Sequence, residues 1–254
     1  MPAHRVRALA LKKTKLGETD LIVTFLAADG CQVRAVAKGA RKPGSRYGGR
    51  VEPFTVVDLL LHTGRTLETV TEAEIVAAHA GIRSDYDRAQ AASVVADFLD
   101  KVSVECQTED RLFGLAVATL DALETAEGDT FLALVVAFLL KGMAMHGYRP
   151  QFDGCVECGA AAADETRFSL ELGGPYCEGC GGQGPDVAYL SPHARNALVR
   201  LMTAKMAEVG ALALPREVLA DAFGVMRAFV VYHVPARLKA LALYAAEVER
   251  QRRG

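Results

Sequence analysis

The 254-residue chain has no tryptophan, only 7% aromatic residues and six cysteines. That cysteine content excludes the disulfide-dense scaffolds on which small secreted domains rely. A membrane-length apolar run is also missing. The longest candidate, FLALVVAFLL at 131–140, is closed by Lys141 and Gly142 and is about half of what a span requires. It is expected to be a buried core helix, with no membrane partner. The opening residues MPAHRVRALALKKT carry Arg5, Arg7, Lys12 and Lys13 and leave no room for a signal peptide's apolar centre, so a cytoplasmic location is expected. One local absence is sharper. KGARKPGSRYGGR, residues 38–50, contains Lys38, Arg41, Lys42, Arg46, Arg50 and four glycines without a single carboxylate.

Charge is distributed unevenly. Residues 1–50 carry eleven lysines and arginines against three carboxylates, a balance of +8, whereas residues 51–154 carry seven against seventeen, a balance of −10. The remaining residues are balanced, so the net charge of −2 conceals a basic head on an acidic middle. Charge concentrated in this way steers and holds a polyanion whatever the total.

Within the first eighty residues, RVRALALK, DLIVTFLA, CQVRAVAK, VEPFTVVDLLLH and RTLETVTEAE read as five short strands. Asp29-Gly30 and Thr63-Gly64 read as hairpin turns between them. Five short antiparallel strands in so small a module predict a compact barrel, and the OB-fold is the five-stranded barrel that binds nucleic-acid strands. From residue 79 the apolar period becomes helical. Ser84 with Asp87 resembles a capping box ahead of Val94, Val95, Phe98, Leu99 and Val102. Leu112, Leu115, Ala116, Leu120 and Leu123 form a second stripe, and Thr130 opens the apolar helix. Ser191-Pro192, Pro215 and Pro235 mark later helix boundaries. The expected architecture is α+β and multidomain: an OB-fold over residues 1–78, then an all-α domain over 79–254, interrupted at 152–184 by a cysteine module.

That module contains Cys155/Cys158 and Cys177/Cys180, two CxxC pairs separated by 18 residues. Each pair makes a knuckle that offers two sulfurs on one side, so four thiolates can surround one tetrahedral Zn²⁺. A closed shell of four cysteines leaves no position for a catalytic water, which makes the expected zinc structural. Cys31 and Cys106 read as small buried hydrophobes.

GARKPGSR places Gly39 and Gly44 in register with a phosphate-binding loop, but Ser45-Arg46 stands where such a loop needs lysine and then serine or threonine. The nucleotide reading fails there. A simpler reading is a mobile clamp for a sugar-phosphate backbone, with Arg34 and Lys38 on one face of the third strand and Tyr47 stacking on an unpaired base. His62 and His79 read as surface or strand-end residues, and His146, His193 and His233 fall at helix ends. No nucleophile, acid/base pair or small-molecule site emerges, so the chain is not expected to be an enzyme.

The order of these pieces resembles a known family. GETDLIVTFLAADG, KGARKPGSRYGGRVEPF and LETVTEAE, followed by a helical region with CxxCG and CxxC, are similar to the RecO family of bacterial recombination mediator proteins over essentially the whole chain. The resemblance implies an N-terminal OB-fold, a helical domain and zinc at Cys155, Cys158, Cys177 and Cys180. It also implies binding of single- and double-stranded DNA without sequence specificity and annealing of complementary strands. With RecR, such a protein assists RecA loading on strands coated by the single-stranded DNA-binding protein. The family's basic positions fall on Arg34, Lys38, Arg41 and Lys42, and charge alone extends them to Arg46 and Arg50. A groove rimmed by Arg195 or Arg200 is the expected seat for the acidic tail of the single-stranded DNA-binding protein. The competing reading is a zinc-finger DNA glycosylase using Pro2 as nucleophile; Ala3 stands where such an enzyme needs an acid, and the cysteines lie mid-chain.

Overall fold

In a computed structural model describing residues 3–64, 66–104, 109–161, 166–180 and 184–253, the first five strands close on themselves. They are β1 (Ala3–Leu16), β2 (Asp20–Ala27), β3 (Gln32–Ala37), β4 (Val56–His62) and β5 (Glu68–Ala77), in barrel order β1-β2-β3-β5-β4. This is the OB-fold expected of the strand pattern. All neighbours are antiparallel except β3 and β5, whose parallel seam has only the register pairs Ala35↔Glu68 and Val36↔Thr69.

Alternation decides what fills the barrel. Ala8 and Ala10 of β1, Ala35 and Ala37 of β3, and Leu21, Val23 and Phe25 of β2 point inward and share one core with Val57, Leu59, Leu61 and Val70. The alanines on two strands make room for large rings supplied elsewhere. Outward-facing Leu9, Leu11 and Leu26 are buried as well, so the outer face of β1 and β2 needs a cover. Helix α2 (Tyr86–Val102) supplies it, packing its stripe of Val94, Val95, Phe98, Leu99 and Val102 there. Gln32 Nε2 fixes the register by donating to the backbone oxygens of Asp100 and Ser103 at 3.1 and 3.3 Å.

Three local expectations are corrected. Asp85, not Ser84, caps α2, its carboxylate accepting from Arg88 N at 2.9 Å, because Ser84 still closes the preceding one-turn helix α1 (Ala80–Ser84). Thr63-Gly64 does not form a two-residue hairpin: the strands end at His62 and resume at Glu68, and Gly64 is not left-handed. His79 is buried instead of superficial. Its Nδ1 lies 2.7 Å from Phe54 O and its Nε2 lies 2.9 Å from Asp121 of helix α3 (Asp110–Thr125). His79 and Phe54 both adopt positive φ, 44° and 73°, and the contact between them helps offset a strain of about 1–3 kcal/mol per residue.

The chain divides into two compact units, Met1–Glu124 and Thr125–Gly254. In the second, helix α4 (Thr130–Met145) is buried continuously from Leu132 to Leu140, as its uninterrupted apolar sequence demands. It packs against α5 (Pro192–Thr203) and α6 (Arg216–His233), and α7 (Lys239–Arg253) follows. Ser191 Oγ caps α5 through Ala194 N at 3.2 Å, with Pro192 at the first helical position. Between α4 and α5, β6 (Thr166–Ser169) pairs with β7 (Gly174–Pro175) and β8 (Val187–Leu190). Phe168 of β6 is fully buried, edge-on to Phe229 of α6 at 5.9 Å and beside Phe152 at 6.1 Å. This ring anchors the cysteine module to the helices. No helix among the described residues is long and apolar enough to cross a membrane.

Candidate nucleic-acid interface and metal centre

Residues 38–55 connect β3 to β4 through successive tight turns, with Lys42 N donating to Gly39 O at 3.1 Å, Ser45 N to Lys42 O at 3.0 Å and Arg50 N to Tyr47 O at 2.9 Å. The segment is not a free strap. Ala40, Tyr47 and Val51 belong to the barrel core, and Phe54 N donates to Ala10 O at 2.8 Å. Tyr47 is 5% exposed and its hydroxyl donates to Thr71 O at 2.8 Å, so its ring plugs the barrel and is withheld from any base. The expected stacking role of Tyr47 is therefore corrected. An aromatic ring completes a barrel whose strands supply alanines.

With its apolar side chains turned inward, the segment turns its cations outward. Arg34, Lys38, Arg41, Lys42, Arg46 and Arg50 are all exposed. Arg41 reaches back to the β1–β2 turn, donating from Nη1 to Glu18 O at 2.8 Å and Gly17 O at 3.2 Å. Arg50 donates to Ala73 O at 2.9 Å, and the Arg46 guanidinium lies 4.9 Å from the centre of the Tyr47 ring. These are contacts with carbonyls and a ring face, which hold the guanidinium groups without cancelling their charge.

Carboxylates are spent elsewhere in the basic head. Arg7 makes a two-pronged pair with Asp58, 2.8 Å on each arm, and this contact lowers the Asp58 carboxyl below its ordinary range and raises Arg7. Arg5 meets Glu72 at 3.5 Å, Lys12 meets Asp100 at 3.5 Å, and Lys13 pairs with Glu52. All four acids belong to the acidic middle of the sequence. Among the described residues, no carboxylate lies within ion-pair distance of any of the six exposed cations from Arg34 to Arg50. Sequence reasoning missed Lys15, also exposed and, among the described residues, beyond ion-pair distance of any carboxylate. The signal was there: β1 runs on through KKTK to the Gly17 turn, where Lys15 faces Leu21 beside the same loop.

In the second unit, the sulfurs of Cys155, Cys158, Cys177 and Cys180 all lie within 4.8 Å of one another. Cys158 and Cys177 are 3.6 Å apart, too far for a disulfide and close to the edge of about 3.8 Å that a sulfur tetrahedron has around zinc. Cys155 N donates to Ala160 O at 2.8 Å, and Cys180 N donates to the Cys177 sulfur at 3.4 Å. Val156 N donates to Pro175 O at 2.9 Å, tying the first knuckle to the hairpin that carries the second. Gly174 permits that approach, because a Cβ there would meet Val156 Cγ1 at 2.4 Å.

The thiols respond to this crowding. Backbone N–H groups, led by that of Cys158, bring the Cys155 thiol down to about 6. At Cys158 the Ala160 N–H favours the thiolate, but the neighbouring Cys177 sulfur and burial outweigh it and raise the value. The sulfurs of Cys158 and Cys177 push Cys180 far above the ordinary thiol range. Four sulfurs at this spacing cannot all ionise without a cation between them. The donor set and its geometry fit one metal ion, and only sulfur is offered, so the site suits a soft or borderline metal.

The family described as Recombination protein O N terminal matches residues 1–79, and that described as Recombination protein O C terminal matches residues 83–242. Curated relatives agree along the chain. The "DNA repair protein RecO" of Rubrobacter xylanophilus is 35% identical over 237 residues, covering 92% of this chain and 94% of the relative. The protein of the same description from Frankia casuarinae is 38% identical over 243 residues, covering 95% and 98%. That of a Nocardioides species is 36% identical over 246 residues, covering 94% and 98%. An OB barrel, a helical region with a metal-ready cysteine cluster, and matches running through both halves lead to one assignment: this chain belongs to the RecO family of DNA repair proteins.

Proposed function

We propose that the barrel, residues 1–78, is a non-catalytic module that grips single- and double-stranded DNA without sequence preference. Arg34, Lys38, Arg41, Lys42, Arg46 and Arg50 are its contacts, with Lys15 added. The observation that carries this reading is the sorting of charge described above: acids pair with Arg5, Arg7, Lys12 and Lys13 of β1, while among the described residues none reaches Lys15, Arg34 or the cations of the segment after β3. Phosphate contacts position a strand without reading it. Two strands repel each other, so a protein that neutralises phosphates while leaving the bases outward lowers the barrier to annealing, and released counterions supply much of the affinity.

The helical domain, residues 79–254, holds one structural Zn²⁺ at the four cysteines and carries the protein contacts. Its partners are RecR and the single-stranded DNA-binding protein, on whose coated strands the complex assists RecA. Half-buried Arg195 is the better rim for the latter's acidic tail, since Arg200 Nη2 is engaged with Leu212 O at 3.1 Å. In this role the protein exchanges partners and makes no bonds; Pro2, the nucleophile of the glycosylase alternative, lies outside the described residues.

Salt titration tests the interface. If about five cations contact a single strand, log K against log salt falls with a slope of about −3.5. The double variant Arg41→Glu/Lys42→Glu should weaken binding at least tenfold without unfolding the chain. A flat salt dependence, or unchanged affinity in that variant, places DNA elsewhere.

A further inference from the structure

Asp20 is a carboxylate set among the cations of the proposed interface. It follows the β1–β2 turn, half-buried beside the cationic segment. Its Oδ1 accepts from Gly39 N at 2.8 Å and from Thr19 Oγ1 at 2.9 Å. Gly39 has φ of 66°, in the left-handed region, and its carbonyl takes Lys42 N at 3.1 Å, closing the turn that carries Lys38, Arg41 and Lys42. Arg41 N donates to Thr19 O at 2.9 Å, and its guanidinium holds Gly17 O and Glu18 O. The two loops therefore clasp each other from both sides, and among the described residues Asp20 supplies the carboxylate that bonds across the clasp.

The Gly39 N–H, then Thr19, and then the charges of Lys38 and Lys42 hold the Asp20 carboxyl below its ordinary range, so it is ionised at neutral pH. An ionised carboxylate among phosphate-binding cations repels the ligand. That cost is offset if the group fixes where the cations stand, since positioned charges bind a regular phosphate array better than wandering ones.

We propose that Asp20 is a positioning residue for the polynucleotide interface, pinning the Gly39 turn so that Lys38, Arg41 and Lys42 present one fixed constellation to the phosphates. This rests on the reading that those cations contact DNA. Repulsion and positioning predict opposite signs for two substitutions. Asp20→Asn keeps Oδ1 as an acceptor for Gly39 N and removes the charge, so single-strand affinity should rise by about threefold at low salt. Asp20→Ala removes both charge and acceptor, so affinity should fall by about tenfold, and the salt slope should become shallower by about 0.7, one phosphate contact.

The decisive experiment measures both variants of the full-length protein against an oligonucleotide across a salt series. Hydrogen exchange at the Gly39 amide is followed in parallel and should accelerate in Asp20→Ala but not in Asp20→Asn. A merely destabilised protein would lose active fraction without a change of slope. Asp20→Glu keeps the charge and displaces it by one methylene; it should bind more weakly than wild type, and it decides the matter should Asp20→Ala not fold. Tighter binding by Asp20→Ala than by Asp20→Asn, or wild-type binding by Asp20→Glu, overturns the proposal. If the Asp20 variants are silent while Arg41→Ala/Lys42→Ala loses binding, positioning alone is wrong; if that variant is silent too, the interface reading falls with it.

Discussion

The two candidate sites of this protein lie on segments with little regular structure, and they are held in place by opposite means. Residues 38–55 are fastened from within: Ala40, Tyr47 and Val51 sit in the barrel core, main-chain bonds join the segment to β1, and the Tyr47 and Arg50 side chains donate to main-chain oxygens of β5. Residues 152–180 contribute the rings of Phe152 and Phe168 to their unit's core, while the knuckles themselves converge on four sulfurs. A segment nailed down by its apolar side chains can aim every cation at solvent. A segment whose knuckles converge on four sulfurs turns its most reactive groups toward one another. The first arrangement suits an interface and the second suits a brace.

The largest expected effect breaks this comparison on the brace side. Cys158→Ser removes one of the four sulfurs proposed to hold zinc, and since structural zinc contributes about 10–16 kcal/mol to isolated finger peptides, the module should lose its metal and its hairpin. Elemental analysis should fall from one zinc per chain to none, with new proteolytic cleavage within 152–180, while affinity for DNA stays unchanged. Loss of DNA binding on chelation would mean that the two segments do not work separately.

Next in size is the barrel plug. Tyr47→Ala should cost about 3–5 kcal/mol and lower DNA affinity without altering metal content, whereas Tyr47→Phe, which loses only the bond to Thr71 O, should cost about 1 kcal/mol. Chemical denaturation with metal analysis checks both. Unaltered stability in Tyr47→Ala would mean that the core does not hold the segment.

The smallest effect sharpens the division between paired and unpaired cations. Asp58→Asn frees Arg7 of its partner, but the pair is exposed, so stability should change by less than about 1 kcal/mol. The folded Asp58 carboxyl titrates below its ordinary 3.8 because of Arg7. Its contribution is therefore complete above that value and disappears as pH falls through the lowered one, which an acid titration of stability reads directly. DNA affinity should rise slightly as Arg7 joins the free cations.

What was legible in the sequence was whatever repeats or pairs at short range. The strand DLIVTFLA has the observed bounds of β2, the apolar helix begins at Thr130, and two CxxC pairs announced a sulfur cluster before any geometry was known. The burial of Tyr47 was not legible, because a ring in an aperiodic, glycine-rich segment gives no sign of which way it turns; its partner Thr71 is 24 residues away. His79 lies 42 residues from Asp121, and a lone histidine without a nearby carboxylate reads as surface. Asp20 and Gly39 belong to separate motifs, each recognisable alone, and only the closed barrel joins them. The cations could be located from charge counting; which of them would be neutralised depended on cross-strand register between β1, β4 and β5 for Arg5 and Arg7, and on where the barrel puts Glu52 and Asp100 for Lys13 and Lys12.

The parallel seam between β3 and β5 carries a further consequence. Two register pairs are a short zip for a barrel, and opening there would expose strand edges ready to pair with another molecule. Tyr47 bridges toward this gap through Thr71 of β5, working as a rivet set from inside the wall. A ring buried in the core and bonded to β5 thus braces the short zip from inside, so the cylinder resists being unrolled.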